Sequence, residues 1–168
     1  MGAVTRNARC MTQRIERPPY SSYATIMAAF AGGLAGAGAI ARALRRDPQC
    51  NTALDFLVLS AASFKAARTV SHDEVTSFLR DPFVKGHAHT GEDEEPVQGG
   101  MDQAIGELVT CSRCAGTWVA AGLAATQIIA PRFGRLLTWS LGAAAANDFL
   151  QAAFAALSSK ANQLEAEG

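Results

Sequence analysis

Two cysteines three residues apart, Cys111 and Cys114, are the residues of this chain best suited to chemistry. Residues three apart on a helix share one face, so both thiols can act on the same partner. Arg113 lies between them, and both a cation and a helix N-terminus lower the pKa of a thiol by favouring the thiolate. The spacing leaves three interpretations open: dithiol–disulfide cycling, binding of a soft metal, or packing of two small side chains at a helix junction.

A metal site would need ligands beyond the cysteine pair, because a structural zinc ion takes four. His87 and His89, in the preceding polar segment, would complete a Cys2His2 set, and His72 is a further candidate. Zinc or copper is the metal that such thiolate and imidazole ligands favour. Glu107, four residues before Cys111, is a candidate metal ligand or base for the thiol. The alternative is a solvated acid that the helix dipole favours in the first turns of a helix.

A second group of polar residues falls inside an apolar segment, where Asp148 lies beside Asn147 and near Gln151. A carboxylate at membrane depth is costly and usually faces the interior of a bundle or a polar cavity. Three residues of other segments are its candidate partners: Lys65, Thr126 and Gln127. Two roles stay open for Asp148, a proton or cation site and a hydrogen-bonded contact between helices.

Other patterns of functional residues are weak. The acidic run Glu92–Glu95 offers oxygen ligands for calcium or magnesium but lacks the twelve-residue calcium-loop spacing, so a solvated linker is the better interpretation. The sequence contains no phosphate-binding loop, nucleophile elbow or paired-carboxylate pattern. Because 15 Lys and Arg balance 15 Asp and Glu, no overall basic charge favours a nucleic-acid partner.

The segments that carry these residues are typical of membrane helices. Apolar residues make up 49% of the chain but aromatic residues only 7%, so the apolar content is mostly small and aliphatic and suits closely packed helices. Three of the apolar segments lack the polar stripe of a helix in a water-soluble bundle. We therefore predict an all-α integral membrane bundle with a short amphipathic helix and about four spans, near residues 23–44, 51–70, 114–130 and 135–157.

The first span follows a basic leader, residues 1–20, that ends in Pro18-Pro19. Its apolar run is about 20 residues long, which exceeds a signal-peptide core of roughly 7–15 residues and favours an uncleaved helix. Gly32 and Gly36 have the small-x-x-x-small spacing of a close helix contact. The second span is less apolar, and a helix lying along the membrane surface is the alternative.

The polar middle of the chain separates the second and third spans. Ser71 followed by Glu74 predicts a capping box that opens the short amphipathic helix, and Pro82 ends it. Residues 86–100 are rich in Gly and acidic residues and predict a mobile loop. Residues 158–168 predict a polar, frayed tail. The domain of spans therefore covers residues 21–157.

Orientation follows from the basic residues, because cytoplasmic loops carry an excess of Lys and Arg. With four spans, the N-terminus, the middle loop and the tail share one side. That side carries ten basic residues and the other side five. We therefore expect a multi-pass protein of the cell membrane whose N-terminus, acidic loop, C-terminus and cysteine pair face the cytoplasm.

Two motifs connect this chain to other sequences. Arg80, Pro82 and Phe83 fill an Arg-x-Pro-Phe pattern, and the chain continues with Gly-Glu-Leu-x-x-Cys-x-x-Cys-x-Gly-x-Trp at residues 106–118. From about Leu54 to Leu157 the chain thus resembles a family of small bacterial integral membrane proteins, a domain of unknown function. That family often has Pro-Phe between the cysteines, where this chain has Ser112-Arg113. The resemblance implies a membrane fold and no established activity.

Three functions follow as expectations. The first is a small accessory or interaction protein, surrounded by membrane lipid, that acts as a homo-oligomer or beside a protein partner. The second is a membrane thiol protein that uses Cys111 and Cys114 to bind zinc or copper or to exchange disulfides, with Glu107 nearby. The third is a minor proton or ion transport role that depends on Asp148.

Overall fold

The computed structural model describes residues 18–46, 52–86 and 94–167. These residues are nearly all helical, which confirms the all-α class. The helices are α1 Tyr20–Ala43, α2 Ala53–His72, α3 Ser77–Arg80, α4 Gly100–Thr110, α5 Ser112–Ile129 and α6 Pro131–Glu167. Two short strands, β1 Val84–Lys85 and β2 Glu95–Pro96, pair antiparallel with Val84 opposite Pro96. The candidate ligands His87 and His89 lie outside the described residues.

Small residues bring α2, α5 and α6 together. The buried apolar positions of these helices are mostly alanines: Ala62, Ala67, Ala115, Leu123 and Ala145. A Cβ atom placed on Gly142 would lie 3.0 Å from Cγ1 of Val58, so any other residue at this position would require Val58 to shift where α6 packs on α2. This packing fits the predicted close contact between helices through small residues, a mode common in membrane bundles.

The helices α5 and α6 form a hairpin with a one-residue connection at Ala130. Pro131 begins α6, where a proline costs no hydrogen bond because the first amide groups of a helix have no partner within it. A Cβ on Gly134 would lie 2.6 Å from the backbone of Gln127, so only glycine allows this turn. The side-chain amide of Gln127 donates to Oγ1 of the buried Thr138 at 2.9 Å and joins the two helices.

The segment between α2 and α4 is organised by Arg80 rather than by the predicted amphipathic helix. Arg80 is fully buried, and its guanidinium donates to both carboxylate oxygens of Glu94 at 2.8 and 3.0 Å. It also donates to the carbonyl oxygens of Val70 and Asp73 at 2.7 and 3.1 Å. Because Arg80 binds these carbonyl oxygens at the end of the helix, α2 ends at His72. Two 3-10 turns and the four-residue α3 follow it.

One local prediction for this segment, the capping box at Ser71, was wrong. The capping box does not use Ser71, which lies inside α2; the structure places one at the start of that helix instead, between Thr52 and Asp55. The predicted loop over residues 86–100 includes β2, whereas residues 87–93 lie outside the described part of the chain. At the other end of the chain α6 continues through Glu167, so the residues of the predicted frayed tail extend a helix.

Length and apolarity identify α1 as a candidate membrane span. Among the described residues it is the one straight helix that passes this criterion, and only 6% of its apolar window is buried. The pair α4 and α5 passes as one broken span, bent by 84°. By this measure the described chain has one or two candidate spans, fewer than the four that the sequence predicts.

Candidate thiol site at the α4–α5 corner

Cys111 forms the corner between α4 and α5. It is the single residue between these helices and has an extended backbone, with φ −98° and ψ 102°. Its Sγ accepts a hydrogen bond from the backbone N–H of Cys114 at 3.4 Å, which makes it the N-cap of α5. The sequence predicted both cysteines on one helix, whereas the structure places Cys111 before the helix and Cys114 in its first turn.

The corner favours the thiolate of Cys111. The hydrogen bond from the Cys114 side chain is the largest cause that lowers the pKa of Cys111 below its usual value, and the backbone N–H of Cys114 adds to it. The backbone N–H and the charge of Arg113 act in the same direction, while burial opposes them. Both cysteines are free thiols, Cys111 half-buried and Cys114 exposed, so a partner in solution can reach the pair.

Glu107 connects α4 to α1. The hydroxyl of Tyr23 donates to Oε2 of Glu107 at 2.5 Å, and the side-chain amide of Gln103 donates to Oε1 at 2.8 Å. Both carboxylate oxygens are therefore engaged, one by α1 and the other within α4, which favours a positioning role over that of a base for the thiol. Sequence reasoning missed Tyr23, although a tyrosine at the start of an apolar helix is a signal that its hydroxyl needs a partner.

A groove runs between α1 and the α4–α5 corner. Its wider part is a cavity of about 400 Å³ where Glu107 and Cys114 meet the apolar side chains of Met27, Phe30 and Trp118. A further cavity of about 210 Å³ continues it along α1 and α5. The rings of Phe30 and Trp118 meet edge to face at 5.0 Å between these cavities, so Trp118 packs against α1. The thiol of Cys114 thus borders an apolar space.

The glycine pair of α1 does not mediate a contact within the described chain. A Cβ on Gly32 or Gly36 would meet no atom within 4 Å. Gly106, by contrast, must lack a side chain, because a Cβ there would lie 2.5 Å from the carbonyl oxygen of Phe83 and 3.1 Å from Cβ of Pro96. This close approach seats α4 on the strand pair and gives the glycine of the cysteine motif a structural reason.

The structure supports no metal site within the part of the chain that it describes. No group of three His, Cys, Asp or Glu side chains there is close enough to hold an ion. His72 ends α2 and forms no such group with the cysteines. Cys111 and Cys114 therefore remain a two-sulfur pair among these residues.

Asp148 pairs with Lys65. Its Oδ2 accepts a hydrogen bond from Nζ of Lys65 at 2.7 Å, which joins α6 to α2. Of its three candidate partners this is the one that the structure shows, since Gln127 bonds to Thr138 instead. Asn147 and Gln151 are exposed on the outside of the bundle.

Comparison with known proteins identifies a family. A family model described as a protein of unknown function (DUF1360) matches residues 58–154, from within α2 to within α6. The UPF0713 protein YngL of Bacillus subtilis (strain 168) is 28% identical over 106 residues, which cover 60% of this chain and 78% of that protein. No solved structure matches the chain. Since the family model covers more than half of the chain, including the Arg80 segment and the cysteine corner, the protein belongs to the DUF1360 family of proteins of unknown function.

Proposed function

We propose that this protein is a membrane dithiol protein that exchanges disulfides with a partner through Cys111 and Cys114. The observation that carries the proposal is the capping geometry: Cys111 lies at the N-terminus of α5, its pKa is lowered, and a second free thiol follows in the first helical turn. A thiolate at a helix N-terminus is the nucleophile of many dithiol proteins. Glu107 and Tyr23 hold α4 against α1 and so position the corner.

The exchange proceeds in two balanced steps. The Cys111 thiolate attacks one sulfur of a partner's disulfide, which forms a mixed disulfide and releases one partner thiolate. The Cys114 sulfur, after losing its proton, then attacks the Cys111 sulfur and releases the second partner thiolate. The pair ends as an intramolecular disulfide, two electrons have passed to the partner, and the two thiol protons go to the released thiolates. The reverse sequence oxidises a partner dithiol.

We further propose that α1, α2, α5 and the apolar part of α6 cross the membrane, while α4 lies along its surface. The 84° bend supports this arrangement, because it turns α4 away from the axis of α5. Cys111 then lies at the membrane surface, outside the spanning segments. The count of basic residues favours the cytoplasmic side, where exchange would act on cytoplasmic or membrane-bound disulfides.

Trapping of the mixed disulfide tests this function. The full chain in detergent is incubated with oxidised glutathione, and the products are measured by mass spectrometry. We expect wild type to form the Cys111–Cys114 disulfide, Cys114→Ala to accumulate glutathione on Cys111, and Cys111→Ala to react more slowly. Equal reactivity of the two single variants, or a wild-type pair that stays reduced, would contradict the proposal.

A metal-binding role for the pair, with zinc or copper, is tested by metal content in the same preparations. One equivalent of metal in wild type that is lost in Cys111→Ser would favour that role and direct attention to His87 and His89. Thiols without metal that form the disulfide would favour exchange.

An accessory or interaction role is the second candidate function. It is favoured by α6, whose large apolar side chains, such as Phe154 and Leu157, are 73% and 71% exposed. A helix with such a surface is suited to a helical partner.

A further inference from the structure

The helix α6 has one face in the bundle and an opposite face that the described part of the chain leaves exposed. The buried positions Gly134, Thr138, Gly142 and Ala145 follow one another at spacings of three and four, so they share the face that packs on α2 and α5. From Ala146 to Ala166 every residue except Ser158 is exposed. The exposed face thus runs along most of the 37 residues of α6.

The exposed face carries a regular heptad pattern. Ten exposed positions alternate at spacings of three and four without interruption, and we call them the α6 seam: Phe133, Leu136, Ser140, Ala143, Asn147, Leu150, Phe154, Leu157, Ala161 and Leu164. Eight of the ten are apolar. An apolar heptad sustained over about four repeats is typical of a helix that pairs with another helix in a coiled coil.

Contact with lipid does not account for the whole seam. Val58 faces Gly142 and Lys65 pairs with Asp148, so α2 and α6 run in the same direction with an offset of about 84 residues. The end of α2 at His72 therefore lies level with Ala156. The residues from Leu157 to Glu167 extend beyond it by about 16 Å at 1.5 Å per residue. There the seam continues with Leu157 and Leu164, although Lys160, Asn162, Gln163 and Glu165 around them are polar.

We propose that the α6 seam binds the seam of a second copy of this chain, with the two helices parallel and in register. In this arrangement leucine occupies four of the five d positions, where parallel two-stranded coiled coils carry leucine. Asn147 falls at an a position, where it meets the same residue of the second copy and fixes the register by a hydrogen bond.

Charge complementarity also favours a second copy in this orientation. Lys160 falls at a g position and Glu165, five residues later, at the next e position. In a parallel pair these positions face each other across the seam, so two opposite-charge contacts form by symmetry. The seam lies on a different helix from the cysteines, so a dimer formed through the α6 seam does not require the thiol chemistry.

Two matched cysteine variants test the register. Ala161 lies in the seam, while Ala166, also an exposed alanine, lies on the opposite side of α6. After mild oxidation of the full chain in lipid vesicles, we expect Ala161→Cys to give a dimer joined at position 161, identified by mass spectrometry of the linked peptides. Ala166→Cys should give no such link. A link at 166 in preference to 161, or none at either position, would overturn the proposal.

A charge swap tests the partner. Lys160→Glu places like charges across the seam, so we expect the dissociation constant of the detergent-solubilised dimer to rise about tenfold. Lys160→Glu/Glu165→Lys restores opposite charges and should return it to the wild-type value. Both positions are exposed, so helix content measured by circular dichroism should stay constant. A wild type that is monomeric in detergent and in vesicles would refute the dimer, and no recovery in the double variant would refute the parallel register.

Discussion

At the scale of single residues, three polar side chains of the described chain are held by hydrogen bonds to other residues. Cys111 accepts from Cys114, Glu107 accepts from Tyr23 and Gln103, and Arg80 donates to Glu94 and to backbone carbonyls. Hydrogen bonds to a charged group are worth about 1.5–3 kcal/mol, more than those between neutral groups. These three groups are therefore the positions where one substitution has the largest effect.

The lowered pKa of Cys111 gives a prediction on pH dependence. Alkylation needs the thiolate, so its rate at Cys111 should rise with pH around a midpoint below that of an ordinary cysteine. We expect Cys114→Ala to move this midpoint upward, because Cys114 is the largest cause of the shift, and Arg113→Ala to move it upward by less. Iodoacetamide labelling followed by mass spectrometry measures both. Ser112→Ala is the control, and a midpoint unchanged in Cys114→Ala would contradict the role of the Cys114 side chain in lowering the pKa of Cys111.

Arg80 gives a prediction on stability. Glu94→Gln removes the charge opposite a guanidinium whose side chain is 1% exposed, and breaking a buried ion pair by removing one partner costs about 3–5 kcal/mol. We expect a clear drop in the midpoint of thermal unfolding in detergent. The neighbouring and exposed Glu95 provides the control, since Glu95→Gln should have little effect. Equal midpoints for the two variants would show that the ion pair does not stabilise the fold.

At the scale of elements, the sequence predicted the helices well but not the connections between them. Runs of alanine, glycine and leucine predicted α1, α2, α5 and α6, because the length of an apolar run can be counted directly along the sequence. The bond between Tyr23 and Glu107 joins residues 84 apart, and the bonds of Arg80 depend on Glu94 reaching it from another segment. Local patterns do not contain such contacts. The corner at Cys111 was missed because no glycine or proline marks the break in the helix.

The crossing of α2 and α6 gives a prediction on packing. Gly142→Val adds a branched side chain where the space ends 3.0 Å from Val58, and overpacking of this kind costs about 1–3 kcal/mol. We expect the thermal midpoint to fall. Gly38→Val in α1, where a Cβ would meet no atom within 4 Å, has the same change in helix propensity. It should lower the thermal midpoint much less. Comparable losses in both variants would contradict a tight crossing.

The ion pair between α2 and α6 allows the structural and transport roles of Asp148 to be separated. If the carboxylate serves to join the helices, the single reversals Lys65→Asp and Asp148→Lys should both destabilise the protein, and the charge swap should recover most of the loss. Proton flux into vesicles should be the same for wild type and Asp148→Asn. Flux that wild type supports and Asp148→Asn abolishes would favour the transport role instead.

At the scale of the whole molecule, three helices form the packed part and the others attach to it. The helices α2, α5 and α6 bury the alanine positions, α1 contacts the rest through α4 and α5, and the end of α6 extends past its neighbours. The family match begins at residue 58, after α1, and covers the packed part. The proposed membrane contacts and the proposed dimer therefore use surfaces that this packed part leaves exposed.

The membrane arrangement predicts a labelling pattern. With four spans and a cytoplasmic N-terminus, a membrane-impermeant maleimide should label Cys114 in inside-out vesicles and not in intact cells. Reporter domains attached at either end of the chain should both be cytoplasmic. Reporters on opposite sides would mean an odd number of spans. In that case α2 or the broken pair α4–α5 would not cross the membrane.

In the proposed exchange, the cap at Cys111 would also link the fold to electron transfer. The N–H of Cys114 binds a thiolate more strongly than a neutral sulfur, so the start of α5 stabilises the reduced pair relative to the disulfide. A helix cap is worth about 1 kcal/mol, and for a two-electron couple that corresponds to a reduction potential about 20 mV more positive. By the same linkage, oxidation of the pair weakens the first turn of α5. In the proposed exchange, the redox state of the two sulfur atoms would therefore change the strength of the cap at the joint between α4 and α5, beside the groove that these helices form with α1.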